Sequence, residues 1–429
     1  MKILRKAHTL FDTFVNFIAK KDSHSILFYP HQNCLADNYD IFNGDSSNTL
    51  CLLKSIINDS HFDDYRLYVV YYHKDKLKSY IEYSKSIKSK EIHFIYEKDY
   101  STFKKSFFNC STVFTDCDYI TFPYRVHSQT IVCLNYYAAP FKKEFHRWTN
   151  HGGFKRYIKE QKTKYKEYDY HLSISDIFSK FTAVDIGHYY PHLLSLGFPR
   201  NDILLNKNTS LRDEIEKLVG FKINHLITYV PTHRDYENPG REFYSPDQVK
   251  TRSIWGDVSI DELNALEATL EESGTVIIAK AHAIQAAQVS NVKKENCKCI
   301  LFYDDLIKKI TTSLYPILSI SDAIISDYTS AAYDFLYTGR PIIYYFFDID
   351  AYRAARGFFI EPIESICTGH LTYNISELIE AIKDVINGND PYKAKREFLQ
   401  QLFAPHIDNH STERIKNFFF GPDKKEKIP

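Results

Sequence analysis

The 429-residue chain has no surplus of either charge: 54 Lys and Arg stand against 54 Asp and Glu. That balance argues against a nucleic-acid protein held by bulk positive charge, leaving only local basic patches. Its eight cysteines (Cys34, Cys51, Cys110, Cys117, Cys133, Cys297, Cys299, Cys367) lack the paired spacing of zinc sites or of a disulfide scaffold. They read as reduced thiols of a cytoplasmic protein. Only Cys297 and Cys299 stand close together, in a lysine-rich stretch, and no metal is inferred from them. No apolar run approaches the ~20 residues of a membrane span, and the start lacks the uninterrupted apolar core of a signal peptide. The expected product is soluble or peripheral, on the inner face of the membrane if it touches one. Neither a P-loop nor a Gly-X-Gly-X-X-Gly fingerprint occurs, so ATP hydrolysis and nicotinamide chemistry lack support. No internal repeat or low-complexity stretch is present.

What is there is alternation. Short apolar runs at Ile26–Tyr29, Leu67–Tyr72, Ile92–Tyr96, Thr112–Thr115 and Thr130–Leu134 are separated by polar helical segments. The pattern resumes at Leu226–Val230, Val276–Ala279, Cys299–Phe302, Ala323–Ile325 and Ile342–Phe346. This predicts an α/β protein of two doubly wound, parallel-sheet lobes facing a cleft. The Gly197-Phe-Pro-Arg-Asn-Asp202 break marks the handover between them. The expected divisions are an N-terminal amphipathic helix (1–21), a first lobe (22–200), a second lobe (201–385) and a closing helix with a charged tail (386–429). In the first segment Ile3, Ala7, Leu10, Phe11, Phe14, Val15 and Ile18 recur at helical spacing, flanked by Lys2, Arg5, Lys6, Lys20 and Lys21. Such a helix either covers its own domain or lies on an anionic membrane surface. A second basic helix is expected from Gly153 to Tyr168. The acidic face of the helix from Ile260 to Glu272 (Asp261, Glu262, Glu267, Glu271, Glu272) reads as solvation.

Residues 326–359 carry the clearest chemical signal. Ile317 to Ile325 reads as a buried strand, Thr329 and Ser330 open a helix from Ala331 to Tyr337, and Gly339 with Pro341 stop it. Hydroxyls and free N–H groups at such a start either cap the helix or cradle a phosphate. Arg340 and Arg356 offer positive charge. Two more strands end in polar residues on the same expected edge: Thr232, His233 and Arg234 after one, Lys280 and His282 after another. Arg234 suits a bidentate phosphate contact, and His282 suits donation to a phosphate oxygen. The Asp-X-Asp triplets Asp116-Cys-Asp118 and Asp348-Ile-Asp350 are too short and frequent to establish a metal site.

Taken in order, Gly197-Phe-Pro-Arg-Asn-Asp202, Pro231-Thr-His-Arg-Asp235, the His282 strand end, Ser326-Asp-Tyr-Thr-Ser330, Thr338-Gly-Arg-Pro341 and Arg356-Gly-Phe-Phe359 resemble the motif series of the CDP-glycerol glycerophosphotransferases. These enzymes build teichoic acids and related polyol-phosphate polymers. The resemblance, over roughly 110–360, implies a GT-B-type fold, a metal-independent site and CDP-glycerol or a related CDP-polyol as donor, with no cofactor. It implies donor-binding roles for Thr232, Arg234, His282, Asp327, Thr329, Ser330, Arg340 and Arg356. Where the family carries Trp-His-Gly-Thr-Pro-Leu-Lys, with the histidine a candidate base, this chain has Tyr136-Tyr-Ala-Ala-Pro-Phe-Lys142. Tyr137 replaces the histidine. Lys142, His146 and His151 are then candidates on the acceptor side.

The expected activity is transfer of a polyol phosphate to a hydroxyl of a cell-surface glycan or polymer, in capsule or teichoic-acid synthesis. Catalytic candidates are His282, Arg234 and Tyr137; the partners expected are the donor, the acceptor and an anionic membrane through residues 3–18, not nucleic acid. One rival keeps the fold and transfers a sugar from a nucleotide sugar. A third reading, prompted by Tyr137, is a binding or assembly subunit.

Overall fold

A computed structural model describes residues 2–30, 47–87, 90–116, 122, 124–134, 168–186, 192–232, 254–280, 297–355 and 357–422. The chain forms two compact units, one from residues 1–137, 155–202 and 408–429 and the other from 138–154 and 203–407. Residues 386–429, a single closing segment in the sequence reading, are therefore shared between the two units.

The first unit runs through α1 (Lys2–Ile18), β1 (Asp22–Tyr29), α2 (Asn48–Ile57), β2 (Arg66–Tyr71), α3 (Leu77–Ser86), β3 (Glu91–Tyr96), α4 (Tyr100–Asn109), β4 (Cys110–Thr115), β5 (Thr130–Cys133), β6 (Tyr170–Ser173), α5 (Asp176–Ile186) and β7 (Leu193–Ser195). Its described strands form one parallel sheet in the order β3-β2-β1-β4-β5-β6-β7. The chain winds outward from β1 to β3 and returns beside β1 as β4, so winding reverses at the β1/β4 pair. Ile26, Leu27, Phe28, Val113, Phe114, Ile131 and Val132 are fully buried, as strands covered on both faces require. Phe103, Phe107 and Phe108 of α4 complete the core, with the Phe107 and Phe122 rings 5.0 Å apart and nearly parallel.

The second unit follows with α6 (Thr209–Val219), β8 (His225–Val230), α7 (Ile260–Ser273), β9 (Thr275–Ala279), β10 (Ile300–Phe302), α8 (Tyr303–Leu306), α9 (Leu314–Ile320), β11 (Ala323–Ser326), α10 (Ala331–Phe335), β12 (Ile342–Tyr345), α11 (Ile349–Ala355), β13 (His370–Thr372), α12 (Ile375–Ile386) and α13 (Lys393–Phe403). Its parallel sheet has the order β10-β9-β8-β11-β12-β13, reversing at β8/β11. Tyrosines serve as core residues whose hydroxyls still find acceptors: Tyr229 bonds the Ile254 carbonyl at 2.6 Å and Tyr345 that of Trp255 at 2.7 Å, while the Trp255 ring stacks on Tyr229.

Several sequence expectations need correction. Ile317 to Ile325 is not one strand: Ile317–Ile320 end helix α9, and only Ala323–Ser326 pair as β11. An apolar run buried on all sides cannot be told from a helix by composition alone. Strands β6, β7 and β13 lacked a signal because each sets only one or two aliphatic residues among polar ones, whereas the equally short β10 is wholly apolar. The acidic face of α7 is not mere solvation, since Ser259 and Glu262 form a capping box and Glu267 accepts the Lys298 and Cys299 amides at 2.6 and 2.8 Å.

The last helix, α14 (Ser411–Phe420), packs within the first unit. Asp202 accepts the Ser411 and Thr412 amides at 3.1 Å each, capping α14 from a residue some two hundred positions away. Burial pushes the Asp202 carboxyl upward against those bonds. Gly197 sits at φ +81°, and a Cβ there would meet the Ser411 hydroxyl at 2.5 Å. The 197–202 motif thus seats a helix.

In the second unit the fully buried Arg396 of α13 donates to the Gly339 carbonyl at 2.8 Å, to the Thr368 carbonyl at 3.3 Å and to both oxygens of Asp390. This ties α13 to the turns entering β12 and β13. Arg396→Ala strands Asp390 and two carbonyls, so urea denaturation should show a loss of about 3 kcal/mol; a loss below about 1 kcal/mol would show that water replaces the guanidinium.

Candidate active site at the second switch point

In a doubly wound sheet the ligand crevice lies outside the carboxyl ends of the strands, where winding reverses. In the second unit that point is the β8/β11 pair, aligned Ala323↔Ile227 through Ser326↔Val230. Two residues past β8 comes Thr232, and one residue past β11 comes Asp327. The Asp327 carboxylate accepts the Thr232 amide at 2.8 and 2.9 Å and the Thr232 hydroxyl at 2.6 Å. Asp327 is 0% exposed, and its carboxylate holds the Thr232 backbone and hydroxyl at this edge.

Thr329 and Ser330 follow directly and are half-buried. Thr329 Oγ1 accepts the Ala331 amide at 3.4 Å, whereas Ser330 makes no side-chain cap. The helix they open is five residues of α10 continued by a 3₁₀ turn, Leu336–Thr338, ended by Gly339 at φ +67°. So short a helix has little macrodipole. Hydroxyls and loop amides, more than the dipole, are what this edge offers an anion.

Tyr328, between Asp327 and Thr329, holds the strand end in place. Its ring is fully buried, stacked 3.9 Å from Tyr352 and 5.1 Å from Phe346, and its hydroxyl donates to Asp348 at 3.1 Å. The sequence reading gave Tyr328 no role; the aromatic spacing Tyr328, Phe346, Tyr352, Phe358 was the signal. The second Asp-X-Asp triplet is thereby divided, because Asp348 serves Tyr328 while exposed Asp350 pairs with Arg353 at 3.3 Å. Lys280, at the end of β9, lies with Nζ 5.4 Å from the Tyr303 ring centre.

Arg340 does not join this group. It precedes β12 and therefore lies at the amino edge of the sheet, where its guanidinium donates to the Leu318 carbonyl at 3.0 Å and to the Ser321 carbonyl. Burial pushes it down to about 10, still charged at neutral pH. In a parallel sheet a residue entering a strand and one leaving its neighbour sit at opposite edges. Arg340 closes the end of α9.

The first unit's switch point, at β1/β4, is filled by the protein itself. Asp116, directly after β4, accepts the Ser47 hydroxyl and the Thr49 amide (3.0 Å) at the N-terminus of α2. Its carboxyl is fully buried and pushed upward by desolvation. Asn48 beside it donates to the Leu134 carbonyl at 2.8 Å and accepts the Arg200 amide at 3.1 Å. An internal anion already occupies the position where a helix N-terminus would take a phosphate. Of the other candidates, Tyr137, Lys142, His146, His151, Arg234, His282 and Arg356 lie outside the described residues, as do Asp118 and nearly all of the expected 153–168 helix.

The profile of the family described as CDP-glycerol:poly(glycerophosphate) glycerophosphotransferase matches residues 35–421. A teichoic acid glycerol-phosphate transferase of Staphylococcus aureus is 27% identical over 238 residues, 53% of this chain and 54% of that protein. A teichoic acid glycerol-phosphate primase of Bacillus subtilis is 25% identical over 272 residues, 63% and 62% respectively. The chain spans little more than half the length of these curated relatives. A structure of the wall teichoic acid polymerase TagF superposes with a TM-score of 0.72 at 16% identity, covering 100% of this chain and 97% of that one. Another TagF structure, from a crystal soaked with CDPG, superposes with a TM-score of 0.71 at 17% identity, covering 100% and 98%. The two parallel-sheet units are thus of the GT-B type. By the extent of the profile match, the chain belongs to the CDP-glycerol:poly(glycerophosphate) glycerophosphotransferase family.

Proposed function

We propose that the protein transfers glycerol phosphate, or a related polyol phosphate, from a CDP-activated donor to a hydroxyl of a cell-surface glycan or polymer, releasing CMP. The observation that carries this reading is the second switch point, where Thr232 follows the end of β8 and Thr329 and Ser330 follow the end of the neighbouring β11, in a chain of a family described by CDP-glycerol. The reaction belongs to teichoic-acid-type or capsule polymer synthesis.

The acceptor oxygen attacks the β-phosphorus; the bond from that phosphorus to the CMP oxygen breaks, and the acceptor proton passes to a base. Little covalent work falls to the protein, so positioning and charge stabilisation dominate. Arg234 holds phosphoryl oxygens in a bidentate contact, His282 donates to them, and Arg356 adds charge. Thr329 and Ser330 hydroxyls and nearby amides complete the donor side; Lys142, His146 and His151 belong to the acceptor side. With an ordinary pKa of about 10, Tyr137 is a poor base at neutral pH, which leaves His282 as the stronger candidate. The CDP-polyol is the donor, with no separate cofactor.

Given CDP-glycerol, CDP-ribitol and common nucleotide sugars with a glycan or polyol-phosphate acceptor, the protein should release CMP and form a phosphodiester. Release of a nucleoside diphosphate, or of CMP with a glycosidic bond, identifies a sugar transferase instead. His282→Ala should lower transfer about a hundredfold without changing the melting temperature, and near-normal turnover removes His282 from the mechanism. An unchanged rate in Tyr137→Phe leaves that tyrosine a packing role.

The same reading places the enzyme at an anionic bilayer. Helix α1 docks by its polar side: Asn16 is fully buried and donates to the Tyr124 carbonyl and to Gln129 at 2.7 Å each, and Asp12 pairs with Lys104 at 2.9 Å. Its apolar side faces out, with Leu10 71%, Phe14 60% and Phe17 73% exposed beside Phe11 and Ile18. Each such side chain gains about 1.5–3 kcal/mol when buried, and the segment's sequence also carries Lys2, Arg5, Lys6 and Lys20, whose charge suits anionic headgroups. No helix among the described residues is long and apolar enough to cross a membrane; the contact proposed through α1 is peripheral, at the cytoplasmic face. The protein should float with phosphatidylglycerol vesicles, less with phosphatidylcholine, and Phe14→Glu with Phe17→Glu should abolish flotation. Equal flotation of that variant rules this surface out.

A further inference from the structure

We propose that Asp327 is a positioning residue that sets the donor-binding end of β8 through Thr232, a role that rests on the activity proposed above. The register shows why one is needed. The β8/β11 ladder runs to Ser326↔Val230, and the next residue on β8 is Pro231, which has no N–H to continue it. The first amide available beyond the strand is that of Thr232. Asp327, the first residue beyond β11, takes that amide with both oxygens and the hydroxyl with one. A side chain thus extends the ladder past the point where the backbone cannot.

The consequence falls on the next two residues. His233 and Arg234 follow Thr232 in the chain, and consecutive Cα atoms are 3.8 Å apart. Fixing Thr232 therefore tethers Arg234, two residues on, within about 8 Å of Thr232. Asp327 acts from behind: it is fully buried, and its charge would oppose a diphosphate if it were turned toward one. A misplaced phosphate ligand costs rate out of proportion to the displacement. The sequence-adjacent Tyr328, pinned to Asp348 at 3.1 Å, keeps the carboxylate's own backbone in place.

Two readouts on the full chain separate the clamp from the chemistry. Hydrogen exchange at the Thr232 amide reports the clamp whatever the protein catalyses, and steady-state CMP release from CDP-glycerol reports its effect. Asp327→Ala should expose Thr232 to exchange and lower kcat/KM for the donor about a hundredfold while leaving KM for the acceptor unchanged. Asp327→Asn should restore both, because the amide oxygen accepts the Thr232 N–H and the amide nitrogen donates to Oγ1. Thr232→Val, which deletes the hydroxyl bond alone, should cost several-fold. If the alanine variant does not fold, the asparagine and valine variants carry the test. An asparagine variant with a protected Thr232 amide and alanine-like rates would assign the work to the charge and overturn the positioning role. An exposed Thr232 with normal kcat/KM would overturn it too while leaving the proposed activity intact. Absence of CMP release by the wild type from every CDP-polyol would instead sink that activity, with exchange at Thr232 still reporting whether the clamp exists.

Discussion

Both units depend on how a parallel sheet is closed where its winding reverses. At such a point two neighbouring strands send their chains to opposite sides, leaving a gap at the carboxyl edge that helices do not cover. An aspartate immediately beyond the returning strand fills it in each case. Asp116 follows β4 and holds the start of α2, while Asp327 follows β11 and holds Thr232. Both carboxylates are buried and accept from an amide and a hydroxyl, the arrangement that makes a buried acceptor tolerable. The difference lies in what each one leaves open. Asp116 occupies a helix N-terminus, whereas Asp327 occupies a backbone amide beside two half-buried hydroxyls.

Asp116 takes the hydroxyl and amide at the start of α2 that a phosphate bound there would use. The first unit spends its neighbouring polar groups on itself: Asn48 joins the Leu134 carbonyl to the Arg200 amide, and Asp202 caps α14. These bonds make residues 197–202 a structural joint.

Much of this was legible in the sequence where periodicity and length agree. The strands at Ile26–Tyr29, Leu67–Tyr72 and Leu226–Val230 are apolar, four to six residues long and bounded by polar turns, and β1, β2 and β8 include or nearly match them. Some short strands escaped notice because Tyr170-His-Leu-Ser173 and His370-Leu-Thr372 each hold a single aliphatic residue, whereas three-residue β10 is wholly apolar and was legible. Arg340 was misplaced for another reason: charge near a phosphate motif in sequence was taken for charge near it in space. Counting edges would have prevented the error, since a residue entering β12 cannot stand beside one leaving β11. Asp327 stands at the expected sheet edge, and its bond to Thr232 was not legible, because sequence names the residue and not the direction of its carboxylate.

The same logic bears on the acidic residues as a class. Asp116, Asp327 and Asp348 all stand just past strand ends, at the edge where ligands bind, and the first and last begin Asp-X-Asp triplets. Each has a protein donor: the Ser47 hydroxyl and Thr49 amide, the Thr232 amide and hydroxyl, the Tyr328 hydroxyl. Carboxylates held by protein donors shape the edge, and the buried Asp116 and Asp327 keep their oxygens off its surface. A chain with no net charge can in this way vary the polarity of an edge by orientation and not by composition.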